Sequence, residues 1–226
     1  MICFLTTGVP CVLTRSRRPD AFEIHVTLTP LHETERTRFS TICSQQHWKA
    51  LVIELDPHIP SQPMTCSRIV GTSDDATNHA LFVRQHLEHC GFTVTRVKIE
   101  AAPWNNFVPQ TNQEAMHRHS TAYFEFHAKL VLPITGWEST LRTICVPFQA
   151  HVSHNSFRIH GDNTIERFVT IRSALHGLET FQQHTNQFTT TLDTSGFSIA
   201  DTVMEYCVYD SNAALDAVWF STAPTA

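Results

Sequence analysis

The feature that most limits what this chain can fold into is an internal repeat. FEIHVTL at Phe22 to Leu28 returns 102 residues later as FEFHAKL at Phe124 to Leu130, with Phe, Glu, His and Leu kept in place. Further along, the offset is 105 and free of gaps: Thr65 falls on Thr170, His79 on His184, Leu87 on Leu192, Gly91-Phe92 on Gly196-Phe197, and Glu100 on Glu205. Such a repeat builds one supersecondary unit twice, so each copy can be read against the other.

In the first copy, Phe22 to Thr29 alternates like a strand and Glu35 to His47 has a helical pattern. Lys49 to Leu55 and Pro63 to Val70 read as strands. Ala76 to Cys90 reads as a helix capped by Asp74 or Asp75 and stopped by Gly91, and Phe92 to Ala101 as a last strand. The second copy gives Phe124 to Leu132, Trp137 to Val146, His151 to Arg158, Glu166 to Ser173, Leu178 to Thr194 and Phe197 to Tyr209, with a turn at Ile159 to Thr164. The expected class is α+β, a tandem duplication of a β-α-β-β-α-β ferredoxin-like module with pseudo-twofold symmetry. The expected organisation is an N-terminal arm (1–21), a first module (22–102), a polar linker (103–121), a second module (122–212) and a C-terminal tail (213–226) in which Trp219 caps a core.

Side chains two apart on a strand share a face. Phe22, Ile24, Val26 and Leu28 therefore oppose Glu23, His25 and Thr27, and Phe124, Phe126, Ala128 and Leu130 oppose Glu125, His127 and Lys129. Helices cover one face of such a sheet, so the polar sets belong on the open face. The last strands add Arg96, Lys98 and Glu100 in one copy and Asp201, Val203, Glu205 and Cys207 in the other. Thr65, Thr170 and Arg172 are assigned to the same side. If the modules pack with open faces together, these residues line a central polar cleft.

The 226 residues are 42% hydrophobic, enough for a packed core. A net charge of −5 with sixteen Lys plus Arg excludes a general nucleic-acid binder. The cysteines, Cys3, Cys11, Cys43, Cys66, Cys90, Cys145 and Cys207, form no CxxC pair, which points to a reduced, cytoplasmic protein with thiols as small apolar residues rather than nucleophiles. The opening MICFLTTGVPCVLTRSRR has its basic residues after the apolar stretch, unlike a secretory signal. It reads as a loose arm, with an organellar transit peptide as the alternative. No run reaches the roughly 18 apolar residues of a membrane span.

Two imidazoles on equivalent strands, titrating near neutrality, can take and return a proton. His25-Val26-Thr27-Leu28 resembles the HxTx element of the 2H phosphoesterase family. The resemblance implies that His25 and His127 form an acid–base pair on a phosphodiester or cyclic phosphate and that Thr27 holds phosphate oxygens. Copy two departs from the pattern, with Lys129 where the hydroxyl should stand, and lysine binds phosphate as a point charge. The expected substrate is a small phosphorylated or otherwise anionic molecule, bound by Thr27, Lys129, Lys98, Thr170, Arg172, Glu100 and Glu205 and turned over without a cofactor.

One alternative makes Glu23, His25, Glu125 and His127 the ligands of a divalent metal. It resembles the duplicated vicinal oxygen chelate enzymes, although their β-α-β-β-β unit lacks the second helix read here. Another is a non-catalytic anion site using Lys129, Lys98, Arg172 and His151. Arg167, five residues before Arg172, faces the other way in a regular strand. The chain from Phe22 to about Trp219 is also similar to an uncharacterised group of hypothetical, chiefly bacterial proteins, through VKIEAAPWN (97–105), RFVTIR (167–172), HVSHN (151–155) and EYCVYDSN (205–212). In that group Arg stands where this chain has His154. Trp104-Asn105 and Tyr209-Asp210-Ser211 are expected on loops at the cleft rim, with Asp210 and Asn212 as ligand-orienting residues or turn formers, and His79, His151, His154, His160 and His184 as structural or surface residues.

Overall fold

The computed structural model describes residues 18–53, 61–118, 121–153 and 164–216. In chain order the elements are β1 (Ala21–Leu28), α1 (Glu33–Gln45), β2 (Lys49–Ile53), β3 (Gln62–Val70), α2 (Ser73–His89), β4 (Val94–Ala101), α3 (Asn112–Met116), β5 (Tyr123–Pro133), α4 (Glu138–Cys145), β6 (His151–Val152), β7 (Thr164–Ser173), α5 (Leu178–Thr194) and β8 (Ser198–Asp210). Most of the strand expected at 151–158, all but the last residue of the turn at 159–164, His154, His160, Trp219, Cys3 and Cys11 lie outside the described residues.

All eight strands form one antiparallel sheet in the order β2-β3-β1-β4-β8-β5-β7-β6. The fold is α+β. Each half runs strand, helix, strand, strand, helix, strand, and its first strand lies between its third and fourth. The apolar sides of β1 and β5 share one core with Phe39 of α1, Val83 and Leu87 of α2, Leu141 of α4, and Phe181 and Phe188 of α5, so these helices cover the same side of the sheet.

The central cleft expected between two facing modules is corrected by this arrangement. The halves join edge to edge, with Lys98 of β4 opposite Asp210 of β8 and Ala101 opposite Tyr206, and the register slips between Ile99 and Glu100. Alone, β4 and β8 would each leave a row of N–H and C=O groups unpaired, and joining them removes two sheet edges at once. The polar residues therefore share one face of a continuous sheet rather than two walls of a cleft.

Both long helices end alike. Gly91 and Gly196 adopt φ of +80° and +84°, and the following Phe92 and Phe197 donate back to the Leu87 and Leu192 carbonyls at 3.0 Å. That is a Schellman stop, which glycine enters without a Cβ clash. At the other end of α2 the cap is Thr72, not an aspartate. Its hydroxyl accepts from Asp75 N–H at 3.2 Å while the Asp75 carboxylate accepts from Thr72 N–H at 2.8 Å, a capping box.

The connection between the halves contains α3, which its polar composition does not announce. It is tied down at both ends. The Asn105 side chain exchanges two 3.0 Å hydrogen bonds with the Ala21 backbone and so ties the connection to β1. At the far end, Leu178 and Glu179 N–H donate to the Pro109 and Gln110 carbonyls at the start of α5. No described helix is long and apolar enough to cross a membrane.

Candidate functional site

Residues paired across an antiparallel ladder share a face. Glu23 lies opposite Arg68 on β3 and Glu100 on β4; His25 lies opposite Cys66 and Lys98. In the second half, Glu125 lies opposite Arg172 and Glu205, and His127 opposite Thr170 and Val203. The helix-free face thus carries Glu23, His25, Cys66, Arg68, Lys98, Glu100, Glu125, His127, Thr170, Arg172 and Glu205. The β3–β7 correspondence runs Cys66 to Thr170 and Arg68 to Arg172, an offset of 104. Thr65 is therefore corrected from the polar face to the helix side: it pairs with Val26 and is fully buried.

The centre of this face is buried, with Glu125 only 1% exposed, Glu100 2% and Lys98 7%. Lys98 Nζ ion-pairs with Glu125 and lies 2.5 Å from Glu100. Arg172 holds the other Glu125 oxygen at 2.6 Å, and His25 Nε2 stands 3.0 Å from Glu100. Tyr123 roofs the cluster, with Lys98 5.6 Å and Arg172 5.3 Å from its ring, and donates to Asp210 at 3.2 Å. Asp210, expected at a loop rim, is the last residue of β8 and is clamped by the buried Arg96 at 2.8 and 2.5 Å.

Burial works against every charge here, and the pairing overcomes it. Burial would raise the Glu100 carboxyl, but Lys98 and His25 hold it down at about 2. It would raise Glu125 too, yet Arg172 and Lys98 keep it well below the usual carboxylate range. Lys98, which burial would deprotonate, is held well above its ordinary value by Glu100 and Glu125. Glu205 goes the other way: burial and then the negative charges of Glu100 and Glu23 outweigh the attraction of Lys98 and push its carboxyl up to about 9. The face thus sets Glu23, Glu100 and Glu125 against Arg68, Lys98 and Arg172, with Glu205 beside them.

The cations expected to hold an anion, Lys98, Lys129 and Arg172, occupy this face but are matched to the protein's own carboxylates. Lys129 stands toward one end of β5, paired with Glu166 at 2.7 Å. Thr27 is buried opposite Arg96, and Thr170 Oγ1 lies 2.8 Å from His127 Nδ1. Burial lowers the His127 proton affinity despite the nearby Glu125. With β4 and β8 between β1 and β5, His25 and His127 stand three strand steps apart across the sheet and are also staggered along it, since the His25 row runs through Lys98 to Asp210 on β8 while His127 lies opposite Val203. Glu100, Lys98 and Glu125 link the two imidazoles in a chain. Arg167 stacks on Trp137, with its guanidinium 5.7 Å from the ring. His79 bonds Ser67 at 2.9 Å, and His184 lies 3.4 Å from the Phe148 carbonyl.

The four residues expected to share a metal do not converge: Glu23 and His25 stand on β1 and Glu125 and His127 on β5, with β4 and β8 between them. A different set does. Potential ligand atoms of Glu23, His25 and Cys66 all lie within 4.8 Å of one another. Cys66 Sγ donates to Glu23 Oε1 at 2.7 Å, and that oxygen is 3.6 Å from His25 Nε2. His25 Nδ1 is buried without a hydrogen-bond partner, and Arg68 holds the second Glu23 oxygen at 2.5 Å. Burial, followed by the hydrogen bond to Glu23, raises the Cys66 thiol well above its usual value. Cys66, Arg68 and Tyr123 were not among the residues expected at a site. Their signal in the sequence is register: Cys66 and Arg68 stand opposite His25 and Glu23 only at an offset of 104.

No family model matches the chain, and no curated protein matches it. Among solved structures it is similar to a protein described as a glycine cleavage system transcriptional repressor, at 11% identity over 84% of this chain and 98% of that one, with a TM-score of 0.31. It is similar to the acetolactate synthase small subunit from Thermotoga maritima at 9% identity over 84% and 95%, with a TM-score of 0.30. Chlorite dismutase from Candidatus Nitrospira defluvii gives 10% identity over 88% and 94%, with a TM-score of 0.28. Likenesses at such scores assign neither family nor activity.

Proposed function

We propose that the protein is a metal-dependent enzyme of hydrolytic type, with one divalent ion, zinc by the chemistry of its donors, held by Glu23, His25 and Cys66. The observation that carries this reading is the convergence of a carboxylate, an imidazole and a thiol within 4.8 Å on the helix-free face. Thiolate, imidazole and carboxylate would suit zinc, which when bound would supply Lewis-acid chemistry and a more acidic water. His25 Nε2 faces the Glu23 oxygen at 3.6 Å and would be the ligating atom, with the Glu100 carboxylate 3.0 Å from it beside the site. Glu205, protonated near neutrality, is the acid on the same face that can give a proton to a leaving group.

The paired-histidine reading has less support, since two carboxylates lie between the imidazoles, where a phosphodiester would have to sit. The two readings separate in one assay: hydrolysis of p-nitrophenyl acetate, p-nitrophenyl phosphate and bis-p-nitrophenyl phosphate, before and after chelation and zinc return. Under the metal reading, chelation and Cys66→Ser abolish turnover while His127→Ala spares most of it. Turnover that survives Cys66→Ser but not His127→Ala would transfer the chemistry to the histidine pair.

We also infer that the halves are duplicated ferredoxin-like modules. The support is register: Phe22, Glu23 and His25 pair with Ala101, Glu100 and Lys98 as Phe124, Glu125 and His127 pair with Tyr206, Glu205 and Val203. At the seam Ala101 pairs with Tyr206, its own counterpart at the 105-residue offset, as a twofold axis there requires.

A further inference from the structure

The edge-to-edge junction has a consequence on the helix side of the sheet. Each half roofs its own strands with its own two helices, so the seam between β4 and β8 falls between α2 and the chain that connects the halves. A cavity of about 630 Å³ opens there, within the range of sites that take small organic ligands. Its floor is apolar: Val97 and Ile99 of β4 and Tyr206 of β8 are 9%, 5% and 4% exposed, and Phe107 of the connection forms part of the wall. Two guanidiniums also line it, Arg84 from α2 and Arg118 from the connection. No carboxylate is among the described residues that line it. Arg84 pairs with Glu88 at 3.0 Å in an exposed contact of two side chains on one helix, and Arg118 donates to the Phe107 carbonyl.

We propose that this cavity binds a small amphipathic carboxylate, an acyl or aromatic acid whose body lies on Val97, Ile99, Tyr206 and Phe107 and whose anionic head is taken by Arg84 and Arg118. Charge and shape both select that class. A neutral apolar molecule offers the two arginines nothing beyond the Glu88 carboxylate and the Phe107 carbonyl that they already hold, and a small inorganic anion leaves the apolar floor uncovered. A planar carboxylate accepts two parallel N–H bonds from a guanidinium. An exposed helical Arg–Glu pair is weak enough to be exchanged for it. The site lies across the sheet from Glu23, His25 and Cys66 and does not depend on the metal reading.

The test is calorimetric titration with straight-chain carboxylates from hexanoate to dodecanoate, below their micellar concentrations, against the matching alcohols. While the chain still fits, each added CH₂ is expected to tighten binding about fourfold, the equivalent of roughly 0.8 kcal/mol, and then the gain stops. Arg84→Gln and Arg118→Gln, both at exposed positions, are each expected to weaken decanoate about tenfold and leave decanol unchanged. Thr77→Trp, which fills the cavity from its exposed rim, is expected to abolish binding while the melting temperature holds. The proposal is overturned if no carboxylate of the series binds, if decanol binds as tightly as decanoate, or if Thr77→Trp leaves affinity intact.

Discussion

Replacing Lys98 by methionine asks whether the charges on the helix-free face are a buried network or an ordinary solvated surface. The substitution keeps the volume and removes the ammonium between Glu100 and Glu125. Glu125 retains Arg172, but Glu100, only 2% exposed, is left with His25 alone. Removing one member of a buried pair costs about 3–5 kcal/mol, which in a chain of this length lowers the melting temperature by roughly 6–20 °C. The pH dependence carries the sharper test. In the parent protein the Glu100 carboxyl is held at about 2, below its unfolded value of about 4.3. Its contribution is therefore complete above that unfolded value and lost as pH falls toward 2. In the variant, burial without the ammonium raises the carboxyl above 4.3, so the folded state keeps a proton that the unfolded chain releases, and stability falls as pH rises through the new value. The gap between the two proteins should be widest at pH 7.5 and narrow at pH 5. Urea unfolding of chelator-treated protein, followed by tryptophan fluorescence, measures both. A variant within about 0.5 kcal/mol of the parent at pH 7.5, or a gap indifferent to pH, would refute the reasoning.

Other outcomes follow from single contacts. Asp210→Asn removes the carboxylate charge that clamps the buried Arg96. It should cost about 3 kcal/mol near pH 7, a cost that shrinks as acid protonates the parent's carboxyl, whose burial is outweighed by Arg96 and whose proton affinity is therefore depressed; chemical denaturation at several pH values checks this. Gly177→Ala would place a Cβ 2.3 Å from the Thr111 carbonyl carbon, so a loss of about 1–3 kcal/mol is expected in thermal unfolding, and an unchanged melting temperature would show that the connection does not press on α5. Zinc binding near pH 7 should release at least about one proton, since Cys66 must become a thiolate to ligate. Titrations in buffers of different ionisation enthalpy should register that release in the parent and in His127→Ala, but not in Cys66→Ser.

Much of the fold was legible in the sequence because period-two alternation and helix stops are local. Phe22, Ile24, Val26 and Leu28 declared their buried side, and the repeated Gly-Phe marked both long helices' ends. How the halves meet was not legible. The β4–β8 junction is a backbone ladder, and backbone N–H and C=O groups are the same for every residue type except proline. Alternation therefore says which face a strand buries and nothing about which strand lies beside it. The helix-free face was legible as a set of charges, with Lys98, Glu100, Arg172 and Glu205 all placed on it in advance. Its organisation was hidden by one residue of register. Aligning Thr65 with Thr170 turned the β3 side chains over, since side chains alternate with period two, and so removed Cys66 and Arg68 from view opposite His25 and Glu23. Tyr123 was missed for another reason: a tyrosine at the start of a strand gives no sign that it will roof a lysine on a strand two places across the sheet.

The account's central claim is that Glu23, His25 and Cys66 together hold one divalent ion. Absorption spectroscopy of chelator-treated protein titrated with cobalt(II) tests it most directly, because that ion takes the same donors and shows them by colour. A single equivalent should give the intense visible bands of a tetrahedral site together with a near-ultraviolet thiolate charge-transfer band. Cys66→Ser should lose the charge-transfer band and His25→Ala the site itself, while His127→Ala should match the parent. A pale, six-coordinate spectrum without a thiolate band, or a full spectrum in Cys66→Ser, would contradict the claim.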